Sequence, residues 1–429
     1  MYNGLIEYLK NKKICILGYG KEGISTYNFL KKNNINNITV HDKVEKDVYG
    51  IYGDDYLDNL DNYDVIIKSP GVILKDIDIT SFKDKITSQL ELILEYGPQN
   101  IIGITGSKGK STTTSLIYEI LKANGLDAYL LGNIGNPIFD YLDEFTNDSY
   151  LVIEMAGLQL EYVKHSPHIA IITNLFEEHL DFFGSKEKYY NSKMNIFKYQ
   201  NFLDFGIYCI DNADLKNKVI EGNYESNLIP VSLNDIEDDF ITINDEEKYN
   251  INSKRNIIGK HNLMNIMCAL KVVSILGLDV EKSINAINNF KPLPHRMENI
   301  GIYDGITYYD DAIATIPEAT IDCIDALGNV DTLITGGKDR GIDYSVLINY
   351  LNNSNVTNVI CMPETGYKIK PYLKMHTYEI EELEDAVKLA KQITKKGSVC
   401  LLSPSAASYN KYKNYIEKGN CFQKYVKGE

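Results

Sequence analysis

Short apolar runs, each followed by a glycine-bearing turn and then an amphipathic stretch, recur along most of the 429 residues. "KICILGYGKEGISTYNFLKKN" opens the series: a strand over 14–17, a glycine turn, then a helix with apolar positions at helical spacing. "NITVHD" and "DVIIKSPG" supply two further strands. The alternation restarts near Pro98. There "NIIGIT" reads as a strand, "STTTSLIYEILKANG" as a helix ending at Gly125, and "YLVIEM" and "IAIITN" as strands. A polar, acidic stretch from about 211 to 255 predicts short strands and turns, and residues 262–276, after "GKHN", a closing helix. "FKPLPHR" reads as a linker, because Pro292 and Pro294 hold the chain extended. A third segment alternates "ITYYDD", a helix from Pro317, "DTLITGG", a helix, "VTNVICM", a helix over 382–395 and "SVCLLSPSAAS". Strands alternating with helices predict parallel sheets and an α/β class.

Length and composition bound this picture. A chain of 429 residues exceeds one ordinary core, and the expected division is into three α/β domains at 1–94, 95–294 and 295–429. The apolar fraction of 44% is that of a globular protein. No apolar run approaches the roughly 18 residues of a membrane span, and "MYNGLIEYLKNKK" lacks the features of a secretory signal. The seven cysteines are scattered without a C-x-x-C and mostly sit in apolar runs, so buried free thiols in a reducing cytoplasm are expected. The net charge of -15 argues against nucleic acid as a partner. It leaves small anionic substrates open, because local loops can be electropositive on an acidic protein.

Candidate chemistry concentrates in "GITGSKGKSTTT", residues 103–114. The phosphate-loop pattern G-x-x-x-x-G-K-[ST] asks for glycine five residues before Gly109, where Ile104 stands; glycines occupy 103 and 106 instead. A strand before, a helix after and an intact G-K-S still predict a triphosphate site over Gly106, Ser107, Lys108, Gly109, Lys110, Ser111 and Thr112. Backbone amides and the positive helix end would meet phosphate oxygens, Lys110 would reach the β/γ phosphates and Ser111 would bind Mg2+. The bland alternative is a Gly/Ser/Thr turn with no ligand. Such a site needs a carboxylate on a neighbouring strand, and Glu154 ends "YLVIEM". His179 in "NLFEEHLD" falls at the same edge, as a ligand, a catalytic group or an ordinary surface histidine. "GYGKEG" with Asp42 at the end of the next strand fits the dinucleotide fingerprint, which leaves a nicotinamide-dependent oxidoreductase open. His165 and His168 in "HSPH" flank Pro167 and read as a loop, not a metal site.

Taken together, the loop, "GNIGNP" at 132–137, Glu154, "NLFEEHLD", Lys193, "GKHN" and "LPHR" resemble the Mur ligases, the ATP-dependent amino-acid-adding enzymes of peptidoglycan precursor synthesis. The displaced glycine is that family's form of the loop. "GYGKEGIS", "KSPGV" at 68–72 and "LLSPSAASYNKYKNYIEKGNCF" point to the member that joins glutamate to UDP-N-acetylmuramoyl-L-alanine. The resemblance implies a Rossmann-like N-terminal domain for the UDP substrate, a central P-loop-type ATPase domain and a Rossmann-like C-terminal domain for the amino acid. It implies Gly20, Lys21 and Glu22 near the diphosphate, Asp42 and Lys43 near the uracil, Ser69, Pro70 and Gly71 beside it, and Asn133 and Gln159 towards the muramoyl part. ATP would be held through Lys110, Asn262, Arg296 and Asp311. One Mg2+ would sit on Ser111 and Glu154, and a second on His179 and Lys193, the lysine carbamylated. A monomer with no membrane partner is implied.

The amino-acid pocket departs from the family pattern. "YDDAIATIP" places Ile313 where the usual "N-D-S-K-A-T-N" has lysine, while Thr315 stays. In "GGKDRGIDY", Arg340 stands for a carboxylate-binding lysine, and Ser408, Tyr409 and Tyr415 complete the expected pocket. "EMAGLQLE" replaces "ELSSFQLE", so Ala156 and Gly157 lack two hydroxyls. D-glutamate is the default substrate. L-glutamate, a different carboxylate acceptor and a non-catalytic nucleotide-binding protein stay as alternatives.

Overall fold

The computed structural model describes residues 3–134, 137–244 and 246–428, so Gly135 and Asn136 of "GNIGNP" lie outside the described residues. The chain divides into two compact units, Met1–Phe176 with Phe182–Ser253 and Met264–Ile287, and Glu177–Asp181 with Lys254–Leu263 and Asn288–Glu429.

The first unit carries two parallel sheets. One contains β1 (Ile14–Leu17), β2 (Ile38–Asp42), β3 (Gly50–Tyr52), β4 (Val65–Lys68) and β5 (Ile86–Thr87) in the order β3-β2-β1-β4-β5. β1 and β4 are buried throughout, as strands covered on both faces must be. The other contains β6 (Ile101–Thr105), β7 (Ala128–Gly132), β8 (Tyr150–Glu154), β9 (Ile169–Ile172), β10 (Phe205–Cys209) and β11 (Asn227–Val231). Their order is β11-β10-β9-β6-β8-β7, so the loop leaving β6 opens between strands that wind in opposite directions. Ligands of open α/β sheets bind at such switch points, outside the carboxyl ends of the strands.

The stretch 211–255 holds more order than its polar sequence predicts. Helix Ala213–Glu221 precedes β11 and buries only Leu215 and Val219, too thin an apolar stripe to announce itself; Asn212 caps it by accepting from Leu215 N. A small antiparallel sheet follows, β12 (Ile236–Glu237), β13 (Phe240–Thr242) and β14 (Lys248–Asn250).

The second unit is built on β15 (Glu298–Tyr303), β16 (Ile306–Asp310), β17 (Val330–Thr335), β18 (Asn358–Cys361), β19 (His376–Glu379) and β20 (Val399–Leu402), ordered β15-β16-β20-β17-β18-β19. Only β15 runs antiparallel, against β16. Period-two alternation divides the core. Leu333, Val359 and Leu401 pack with helices Pro317–Leu327 and Ser345–Asn352, while Ile334, Ile360 and Leu402 pack with Leu383–Ile393 and Tyr415–Lys427. The carboxyl ends of β16, β20 and β17 therefore lie side by side. All seven cysteines are free and six are buried. No helix among the described residues is long and apolar enough to cross a membrane.

Candidate active site

Between β6 and helix Lys110–Ala123 the chain turns at Gly106 and Gly109, with φ of 143° and 81°. A Cβ at Gly106 would overlap the Thr173 hydroxyl, and one at Gly109 would lie 2.5 Å from Asn265 Oδ1, so both positions demand glycine. Ile104 is instead a buried strand residue paired with Glu154 and Ile171, upstream of the turn, where no glycine is needed. The loop is braced from behind. Ser107 N donates to Asn174 O at 3.0 Å, Lys108 N to Asn174 Oδ1 at 2.8 Å, and the Thr173 hydroxyl to Lys108 O at 2.5 Å. The helix has no side-chain cap, so the amides of its first turn, Lys110 to Thr112, present its positive end.

One carbonyl gathers two cations. Gly106 O accepts from Lys110 Nζ at 2.8 Å and from Lys193 Nζ at 2.9 Å, and Lys110 Nζ also donates to Ser107 O at 2.9 Å. Lys193 lies on helix Lys186–Lys198, capped by Ser185, and is only 1% exposed, with its ammonium over the Tyr189 ring. Glu154 ends β8 beside β6. Its Oε1 accepts from Asn133 Nδ2 at 2.8 Å, whereas Oε2 is buried with no hydrogen-bond partner among the described residues. Asn133, expected towards the muramoyl part, thus holds Glu154.

At the first sheet the three glycines divide their duties. Gly18 turns at φ 92°, Gly20 has open space where a Cβ would stand, and a Cβ at Gly23 would overlap Gly18 O. Asp42 is committed to the turn, accepting from Tyr19 N at 2.6 Å and Val44 N at 2.8 Å. Lys21 and Lys43 are exposed, Ser69 Oγ donates to Gly18 O at 2.8 Å, half-buried Pro70 follows it, and Gly71 stands open. Gln159 accepts from Ala156 N at 2.9 Å and donates to Glu22 Oε1 at 3.2 Å. Burial lifts the Glu22 carboxyl to about 7, against the opposing pull of Gln159 and Lys68, while burial lowers Lys68 to about 8. Near neutral pH this carboxyl is therefore only partly charged. In the "HSPH" loop, His165 and His168 bind separate carboxylates, Glu91 and Asp204.

In the second unit, Asp311 follows β16 and is buried; its carboxylate accepts from Ser403 Oγ at 2.9 Å and Met297 N at 3.2 Å. Burial raises it to about 7, opposed by Ser403 and Arg296. Arg296 Nε is buried without a hydrogen-bond partner among the described residues. Asn262 Nδ2 donates to Ile258 O at 2.8 Å. The loops after β17 and β20 are pinned together by Lys338 N donating to Ala407 O at 2.8 Å. Ser408 is buried with its Oγ unpartnered among the described residues, Tyr409 is exposed, and the Tyr415 ring stands edge-on to His295. Thr315 and Arg340 both point at one carboxylate, that of Glu178. His179, next in the chain, has φ 57° and places Nε2 3.7 Å from Glu178 Oε2. His295 and Glu178 escaped the sequence reading although both sit inside quoted motifs. His295 Nδ1 is 2.7 Å from Asp310 Oδ2, a hydrogen bond that raises the imidazole above its ordinary range.

Residues 104–273 match the Mur ligase middle domain. The whole chain is 30% identical to a UDP-N-acetylmuramoylalanine–D-glutamate ligase of Clostridium tetani (strain Massachusetts / E88), across 99% of each protein. It is 32% identical to a ligase of the same name from Geobacter sp. (strain M21), across 98% of each. The chain belongs to the Mur ligase family. A MurF ligase from Thermotoga maritima in complex with ADP shares the fold, with a TM-score of 0.60 at 19% identity over 99% of this chain and 97% of that one.

Mg2+, which a Mur ligase implies, fits the residues present: Glu154 offers a buried carboxylate oxygen with no hydrogen-bond partner among the described residues, the hard oxygen ligand this ion needs, and Ser111 adds a hydroxyl in the first turn of the helix after the neighbouring strand. Two departures from the family pattern also have local consequences. At position 313, where the family pattern has lysine, isoleucine carries no charge, and Arg340 pairs with Glu178. Gly157 packs so that a Cβ would come within 3.1 Å of Ser192 Oγ.

Proposed function

We propose that this Mur ligase joins glutamate, D-glutamate by default, to the carboxylate of UDP-N-acetylmuramoyl-L-alanine, converting ATP to ADP and phosphate in peptidoglycan precursor synthesis. The observation that carries this reading is the meeting of Lys110 and Lys193 on Gly106 O above an uncapped helix end, with Glu154 on the adjoining strand. A carboxylate oxygen attacks the γ-phosphorus, and the bond from that phosphorus to the bridging oxygen of ADP breaks. The resulting acyl phosphate has a leaving group that the free acid lacks. The amine of glutamate attacks its carbonyl carbon, loses a proton, and the C–O bond to phosphate breaks to leave the amide. Two anions must approach one another in the first step, and Lys110 with the helix amides offsets their repulsion. Mg2+ on Ser111 and Glu154 supplies further charge neutralisation when bound. Lys193, carbamylated on Nζ, would change from donor to oxygen ligand for a further Mg2+. Asn262, Arg296 and Asp311 are assigned to ATP, and His179 to a metal or catalytic role. The division at 1–94, 95–294 and 295–429, a monomeric state and a cytoplasmic location belong to the same proposal.

The test is phosphate release over a panel of D- and L-amino acids. The reading predicts release only when ATP, the UDP-sugar peptide and glutamate are all present. Release without the UDP-sugar peptide, or a nicotinamide absorbance change without ATP, would overturn it. The preferred enantiomer decides between D- and L-glutamate, a choice that Ile313 and Arg340 open.

A further inference from the structure

Glu178 has no role in the reaction described above, yet it holds the two donors on which the amino-acid seat depends. Its Oε1 accepts from the Thr315 hydroxyl at 2.8 Å and from Arg340 Nη2 at 3.2 Å. The three residues share the second unit, and the side chains of Arg340 and Glu178 are 10% and 8% exposed. Arg340 Nε lies on the same edge of the guanidinium as Nη2, and it is buried with no hydrogen-bond partner among the described residues. One carboxylate oxygen therefore engages a fork that can grip two in parallel.

Resting on the ligase reading, we propose that Glu178 is an internal stand-in for the substrate, occupying the carboxylate seat until a carboxylate of the incoming dicarboxylic amino acid displaces it. The exchange conserves charge. Arg340, which is costly to bury alone, keeps an anionic partner before and after the swap. The direction of exchange follows from geometry. A substrate carboxylate free to lie side-on would engage Nε as well as Nη2, whereas Glu178, tethered by its own backbone, uses only Nη2. The stand-in also sets a threshold, since a ligand lacking a carboxylate for this seat has nothing with which to replace Glu178. Selectivity for a dicarboxylic amino acid then comes partly from the protein's own competing acid.

The test is calorimetric titration of the full chain with glutamate and with glutarate, without nucleotide, on wild type, Glu178→Gln and Glu178→Ala. Both variants remove the competing anion and leave the seat cationic, so each should bind both ligands about tenfold more tightly, the scale of one hydrogen bond to a charged group. Adding Arg340→Ala to Glu178→Gln should abolish the gain. Equal affinity in wild type and variants overturns the proposal. Weaker or undetectable binding to the variants also overturns it, because Glu178 would then contact the ligand or merely support the fold. Phosphate release judges the parent reading separately: a wild type that releases phosphate while Glu178→Gln gains no affinity refutes the stand-in alone. A tighter Glu178→Gln with no phosphate release in wild type refutes the ligase reading alone.

Discussion

Replacing Gly106 by alanine should cripple nucleotide binding before it threatens the fold. At φ 143°, the position is one that a side chain adopts only under strain of about 1–3 kcal/mol. The new Cβ would overlap the Thr173 hydroxyl. That hydroxyl, which donates its one proton to Lys108 O at 2.5 Å, would have to leave that bond, worth about 1 kcal/mol. The sum, about 2–4 kcal/mol, exceeds what a braced loop absorbs without moving. Movement displaces Gly106 O, the common anchor of Lys110 and Lys193. Misplacing one charged donor costs about 1.5–3 kcal/mol, or roughly ten- to hundredfold in ATP affinity. Gly125→Ala is the control: its φ of 80° is also positive, but a Cβ there meets open space, so it carries strain without collision. Titration calorimetry with ATP and Mg2+, beside thermal melts of both variants, separates the two. Wild-type ATP affinity in Gly106→Ala would refute the reasoning.

Three further outcomes follow from the same geometry. Glu154→Gln keeps the Asn133 hydrogen bond but loses the anionic charge at Oε2, so half-maximal phosphate release should need at least about tenfold more Mg2+ with an unchanged melting point. Arg340→Ala should raise the KM for glutamate roughly ten- to hundredfold while leaving that for ATP alone, and an unchanged glutamate KM would remove Arg340 from the pocket. Burial raises the Asp311 carboxyl from 3.8 to about 7, so the folded state binds its proton more tightly than the unfolded chain does. That contribution is whole below the unfolded value and is lost as pH rises through the folded one. The Tm of Asp311→Asn relative to wild type should therefore climb between about pH 4 and pH 7, and parallel curves would contradict the burial argument.

Local features were legible in the sequence because local chemistry determines them. The Gly106 and Gly109 turn, the helix after it and Glu154 at a strand end all follow from residues within one βα unit. Lys193 needed the family resemblance, since nothing in "YNSKMN" says that its amine reaches a carbonyl 87 residues earlier. Glu178 is the clearest omission. Its partners lie 137 and 162 residues away, and in sequence it is merely a second acid beside Glu177. Asp42 fits a ribose-binding fingerprint by spacing, yet its oxygens already accept backbone amides of the turn. Helix Ala213–Glu221 was hidden because two buried side chains sufficed to dock it. The antiparallel edge strand Glu298–Tyr303 was hidden because its residues are half-buried or exposed.

The central claim is that a carboxylate is activated by phosphorylation at the loop of residues 106–111, and isotope transfer tests it most directly. With both carboxylate oxygens of UDP-N-acetylmuramoyl-L-alanine labelled with oxygen-18, turnover with ATP and glutamate should move one label into inorganic phosphate and leave the other in the amide carbonyl. Phosphate free of label, with amide still formed, would contradict the account.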